Sequence, residues 1–263
     1  MGDGLHPAVA GFDRSAERYE RGRPGYPLEL LEFLRLTLPV RPGDRVLELG
    51  AGTGKFTRAM RPWGARRLAV EPLTGMRAVF RKSSGDAELL VARAEAIPLR
   101  TGSVDTVVAA QSFHWFRQPA TIDEIHRVLR PGGALALLWN RRDESRPWMK
   151  RLAGLIEAES GGIPRSRSEA WRAVFAEGPG LGPYGFGAPS AKTFGHVDRL
   201  TPDAIVDRVL SISAIGLLSS ERQSTVAHEV RTILTEDPEV AGQEVIDFPY
   251  RAEVHVSRRF ERA

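Results

Sequence analysis

The chain has 263 residues, 42% of them hydrophobic and 27% charged, enough to bury one large core or a core with an attached cap. Cysteine is absent, which excludes a disulfide framework, a zinc–thiolate site, an iron–sulfur cluster and a cysteine nucleophile, and fits a reducing, cytoplasmic setting. The net charge is +4, but the basic residues are dispersed, with Arg14, Arg18, Arg21 and Arg23 interleaved with Glu17 and Glu20; without a polybasic block no nucleic-acid partner is expected.

Residues 1–26 are polar and rich in glycine and arginine, and read as a mobile arm punctuated by Phe12, Tyr19 and Tyr26. Pro27 is expected at the first position of a helix, where its missing N–H costs least. Leu30, Leu31, Leu34 and Leu38 give that helix an apolar stripe, and the turn Arg41-Pro42-Gly43-Asp44 follows it. Short, nearly continuous apolar runs at 45–49, 67–71, 88–92, 104–110 and 134–139 then alternate with helical stretches at 54–62, 73–82 and 119–129. Strands of this kind are covered on both faces, so the expected fold is α/β, a doubly wound and mostly parallel sheet.

Beyond Asn140 the pattern changes. A helix is expected over 147–159, while Gly161 to Gly195 is broken by glycines and prolines, above all in Gly178-Pro179-Gly180-Leu181-Gly182-Pro183. Such a loop is usually functional or disordered. Thr201 as N-cap and Pro202 at the first helical position open a helix over 202–218, and another runs over 221–235. The tail 251–260 alternates, with Val254, Val256 and Phe260 facing one way, and reads as a closing antiparallel strand. The expected organisation is an arm over 1–26, a core over 27–145, a helical cap over 146–240 and closing strand structure over 241–263. The longest charge-free apolar-leaning run, Val209 to Ser220, is too short to span a bilayer, so no membrane partner is expected.

The chemistry concentrates at strand ends. Glu48-Leu49-Gly50-Ala51-Gly52-Thr53-Gly54 follows the first strand directly, and glycines at alternate positions let backbone pass close to a ligand. A dinucleotide fingerprint fails because Lys55 stands where its third glycine or alanine belongs. A phosphate-binding P-loop fails because Leu49 and Phe56 occupy its required positions.

What remains, acid-x-Gly-x-Gly-x-Gly, resembles motif I of the class I S-adenosylmethionine-dependent methyltransferases. The resemblance implies that cofactor, bound by Gly50, Ala51, Gly52 and Gly54, with Glu48 pairing its ammonium group or supporting the loop. Glu71, 23 positions after Glu48 and followed by Pro72, stands where an acid can accept from both ribose hydroxyls; the bland alternative is a charged strand terminus. Ala94-Glu95-Ala96-Ile97-Pro98 resembles the family's adenine-binding stretch, with Arg93 where an acid is often found.

Gln111-Ser112-Phe113-His114-Trp115-Phe116 lies past the carboxyl end of the fourth strand. Its aromatics are either a wall around a sulfonium, whose charge suits π faces, or core packing. No Asn/Asp-Pro-Pro-aromatic motif of amino-methylating DNA enzymes occurs there. His114 is the candidate general base, against a local packing role. The other histidines, His6, His126, His196, His228 and His255, have no metal-ligand spacing, so no metal is expected.

The stretch from Phe12-Asp13 through Arg23-Pro24-Gly25-Tyr26-Pro27, the Phe-His-Trp-Phe segment and Trp139 to Ser145 are similar to a branch of small-molecule methyltransferases related to trans-aconitate methyltransferase. The resemblance covers about residues 12–145 and implies that the arm folds over the cofactor. That would bring Tyr19 and Arg23 to the cofactor, and Tyr26, His114, Trp115 and Trp139 to a small methyl acceptor. A non-catalytic partner subunit of the same fold and an RNA methyltransferase are the alternatives.

Overall fold

The computed structural model describes residues 16–116, 118–160 and 182–260. The expected features at Phe12-Asp13, His6 and most of the Gly/Pro-rich stretch lie outside the described residues. The core is a seven-stranded sheet of order β3-β2-β1-β4-β5-β7-β6. Its strands are β1 (Arg45–Leu49), β2 (Arg66–Val70), β3 (Glu88–Leu90), β4 (Val104–Ala110), β5 (Leu129–Arg142), β6 (Ser190–Leu200) and β7 (Ile246–Arg258). The first five pair in parallel, whereas β7 runs antiparallel to both β5 and β6.

The parallel strands are apolar throughout because helices cover both faces. Every residue of β4 is buried, and its period-2 alternation sends Val107 and Ala109 to one face and Val108 and Ala110 to the other. On the first face Ile122, Ile125 and Val128 of α5 (Gln118–Val128) pack against Leu47, Leu68 and Leu135. On the second, Leu30 and Leu34 of α2 (Leu28–Thr37) pack against Val46, Ala136 and Leu138. Pro27 is the N-cap of α2, with φ −64° and ψ 144°, so the helix begins one residue later than its sequence suggests. The remaining crossover helices are α3 (Lys55–Ala59) and α4 (Thr74–Ser84).

The arm is not featureless. Ala16–Gly22 forms a helix, α1, whose Glu20 pairs with Arg58 and, at 3.8 Å, with Lys55. Beyond β5 a second core joins α6 (Pro147–Ala158), α7 (Pro202–Leu210) and α9 (Ser220–Glu236). Trp148, Leu152, Val209, Val226 and Val230 pack there against Ile246, Phe248 and Tyr250 of β7. One strand therefore serves two units: its first half backs the cap, and its second half pairs with β5.

Three sequence expectations change. The helix expected over 202–218 breaks after α7; Ile212 is extended (φ −70°, ψ 129°) and a short α8 (Ser213–Gly216) follows. Thr201 does cap α7, accepting from the Ala204 N–H at 3.2 Å. A second antiparallel strand, β6, begins inside the stretch read as loop. Its run Lys192-Thr193-Phe194-Gly195-His196 has weak strand character, and it forms because 11 residue pairs register it against β7. In the tail, Val254 and Val256 are buried but Phe260 is 46% exposed, beyond the end of β7. Among the described residues no helix is long and apolar enough to cross a membrane.

Candidate active site

Strand order reverses between β1 and β4, and in an open α/β sheet ligands bind outside the carboxyl ends of the strands at that point. The loop leaving β1 lies there and takes positive φ at Gly50 (64°) and Gly52 (57°). A Cβ on Gly50 would stand 2.7 Å from Ser112 Cβ, so the β1 and β4 loops touch only because this residue has none. The Gly50 and Ala51 N–H groups donate to Val70 O at 2.9 and 3.1 Å. The Glu71 carboxylate, buried at the end of β2, accepts from the N–H of Gly52 at 2.8 Å and of Leu73 at 2.9 Å. Glu71 thus ties the glycine loop to the next strand.

Glu48 is 1% exposed and lines the cavity, its carboxyl accepting a hydrogen bond from Thr57 Oγ1. Burial raises its pKa to about 8 against the opposing Thr57 hydrogen bond, and the nearby Glu71 charge adds to the rise. At neutral pH it is a protonated carboxyl that an incoming cation would ionise.

At the end of β4, Gln111 holds φ 61°, a strained conformation for a residue with a side chain and one that recurs at functional sites. Ser112 Oγ donates to Leu49 O at 2.6 Å, locking this turn to β1. Phe113 to Trp115 form one 3₁₀ turn. It buries Phe113 in the core and turns His114 and Trp115 to the cavity. The His114 pKa falls to about 3 through burial, with the Arg23 charge lowering it further, so the imidazole is neutral.

The roof comes from both ends of the chain. Tyr19 and Arg23 extend from α1, the guanidinium lying 4.8 Å from the Tyr19 ring centre, and Tyr26 packs edge-on against Phe56 at 4.9 Å. Gly25 O accepts from Asn140 Nδ2 at 2.7 Å, which pins the arm to the end of β5. From the cap come Arg208, Ile212, Ser213 and Ala214, and Tyr250 joins them from β7. Arg208, only 7% exposed, donates through Nη1 to Asp198 at 2.6 Å and to the Tyr250 hydroxyl at 2.9 Å. Sequence reasoning missed these cap residues. They carry no motif; the helix break at Ser211–Ile212 precedes Ile212, Ser213 and Ala214, while Arg208 stands on α7 before it and Tyr250 on β7.

Of the residues singled out from sequence, Tyr19, Arg23, Tyr26, Glu48, Gly50, Ala51, Gly52, Gln111, His114 and Trp115 line one cavity. Several do not line it. Gly54 caps α3 and packs against Phe80 and Ser84, Glu71 and Ser112 stand behind the loops they brace, and Pro72 lies outside the cavity lining. Ala94 is buried beside Ile97, and Glu95 pairs with Arg93 at 3.3 Å. Trp139 is 0% exposed, so the expected acceptor contact is replaced by an indirect one: its Nε1–H donates to His114 Nδ1 at 3.3 Å. The same bond occupies the lone pair that His114 would need to serve as a base.

Comparison with known proteins agrees with this fold. A methyltransferase-domain profile matches residues 47–137. An uncharacterized methyltransferase of Mycobacterium tuberculosis is 35% identical over 239 residues, covering 91% of each chain. One of Schizosaccharomyces pombe is 34% identical over 238 residues, covering 90% of this chain and 92% of its own. The chain belongs to the class I S-adenosylmethionine-dependent methyltransferases. The fold also matches the Haemonchus contortus phosphoethanolamine N-methyltransferase 2 complex with S-adenosylhomocysteine, with TM-score 0.58 at 15% identity. That match covers 98% of this chain and 61% of the other.

This methyltransferase uses S-adenosylmethionine, and its cavity suits the amino-acid end of that molecule. Glu48 is a buried carboxyl of the kind an ammonium group would need. Arg23 supplies a half-buried guanidinium that has no acidic partner among the described residues, and its buried Nε makes no hydrogen bond there. A zwitterion needs one group of each kind.

Proposed function

We propose that the enzyme methylates a small organic molecule within a cavity closed by its arm and cap, in the branch that resembles trans-aconitate methyltransferase. The observation carrying this reading is the roof. Gly22 of α1 sits so close to α7 that a Cβ there would fall 2.7 Å from Ser211 Oγ, so arm and cap meet over the strand ends. Such a closure suits a compact acceptor and expels water.

Gly50, Ala51 and Gly52 would hold the cofactor by their backbone, Glu48 its ammonium and Arg23 its carboxylate. Glu71 would act from behind, fixing the glycine loop beneath the ribose, while Tyr19 covers the cofactor. When bound, the cofactor supplies an electrophilic methyl group on a sulfonium. The chain's own residues position the acceptor in line with that group and desolvate the site, which is where most of the rate acceleration arises in such reactions. Tyr26, Trp115, the cap residues Arg208 and Ile212, and Tyr250 of β7 form the acceptor side.

Calorimetry with S-adenosylhomocysteine should show one site per chain. Arg23→Gln should weaken it by about 1.5–3 kcal/mol, the range for a lost charge-assisted hydrogen bond. No binding at millimolar cofactor product, or an unchanged affinity in the variant, refutes the assignment. Steeply salt-dependent binding of RNA would overturn the small-molecule reading.

A further inference from the structure

A general base needs a lone pair facing its substrate, and the surroundings of His114 deny it one. Trp139 is fully buried, held edge-on against the His255 ring at 6.0 Å, and directs its Nε1–H to His114 Nδ1 at 3.3 Å. An indole N–H can only donate, so Nδ1 must be the accepting, unprotonated nitrogen. In a neutral imidazole the proton then resides on Nε2, across the ring from Trp139, and His114 lines the cavity. Burial keeps the ring neutral, which excludes a second proton at physiological pH.

The rest of the cavity wall has the same character. Arg142 and Arg208 lie on it alongside Arg23, Lys55 and Arg141, against the carboxyl groups of Glu48 and Glu144. Five cationic side chains face two carboxyls on this wall, and three of them are paired with acids outside it: Lys55 with Glu20, Arg141 with Glu253 and Arg208 with Asp198.

We propose that His114 binds the methyl acceptor as a hydrogen-bond donor through Nε2–H, in a tautomer set by Trp139. The acceptor then presents a lone pair to that N–H, and an anionic oxygen, as in a carboxylate or a phosphate, makes the stronger, charge-assisted bond there. This inference rests on the small-molecule reading above and gives Trp139 the part of a positioning residue.

The test is a long-range ¹H–¹⁵N correlation spectrum of the full chain with ¹⁵N-labelled histidine, bound to S-adenosylhomocysteine at neutral pH. His114 should show the Nε2–H tautomer in the wild type and a mixture of tautomers in Trp139→Phe, which keeps the ring but loses the N–H. An Nδ1–H tautomer or an imidazolium in the wild type overturns the proposal, whether or not the variant folds. A panel of short mono- and dicarboxylates and inorganic phosphate is then titrated into the same complex. The His114 Nε2 resonance should move with one of the two anion classes, which identifies the acceptor group. His114→Phe should weaken that anion about tenfold, the loss of one hydrogen bond, while His114→Gln, which retains an N–H, restores most of it. Movement with neither class overturns the proposal. Failure of the wild type to bind S-adenosylhomocysteine at all overturns instead the cofactor assignment.

Discussion

Replacing Glu48 by glutamine tests the electrostatics of the site without any knowledge of the acceptor. The native carboxyl has a pKa of about 8, raised by burial from 4.5. Between those values the folded state holds a proton that the unfolded chain has released. Stability contributed by this group is therefore complete below pH 4.5 and is lost as pH rises toward 8. At ~1.4 kcal/mol per pH unit the loss reaches ~3 kcal/mol at pH 7 and at most ~5 kcal/mol at pH 9. Glutamine has no charge to bury and keeps an oxygen to accept from Thr57, so Glu48→Gln should escape this loss. Urea unfolding at pH 5, 7 and 9 measures it: the stability difference between variant and wild type should grow with pH in favour of the variant. Binding of S-adenosylmethionine should show the reverse preference. Its ammonium stabilises the ionised carboxylate, so the wild type should release close to one proton on binding at pH 7, seen as a buffer-dependent calorimetric heat. The variant should release none from this position and bind more weakly. A pH-independent stability difference, or equal proton release by both proteins, would refute the reasoning.

Gly50→Ala should cost at least about 1–3 kcal/mol, because it combines a positive φ with a Cβ 2.7 Å from Ser112; thermal unfolding reads the loss, and a wild-type melting temperature contradicts it. Glu71→Ala removes the acceptor for the Gly52 and Leu73 N–H groups, and should weaken S-adenosylhomocysteine by about 1.5–3 kcal/mol in calorimetry. Gly22→Val should separate α1 from α7, seen as faster amide hydrogen exchange in Ala16–Gly22, whereas unchanged exchange would show the arm to be held elsewhere.

The parallel half of the sheet was legible in the sequence because strands covered on both faces must be apolar at nearly every position, and the runs at 45–49 and 104–110 have the ends of β1 and β4. The glycine loop was legible for a related reason: backbone that turns with positive φ and touches a neighbouring loop leaves glycine as the residue that fits. Local chemistry dictates those positions. The edge strand β6 was not legible, since its half-exposed residues have little apolar alternation and its conformation comes from pairing with β7. The cap wall was equally hidden. Arg208 and Tyr250 are 42 positions apart and join only because the first half of β7 packs under α7. His114 illustrates the division most sharply. Its place after the fourth strand was readable from the chain, but its tautomer depends on an indole 25 residues away, on a strand that only the folded sheet brings beside it.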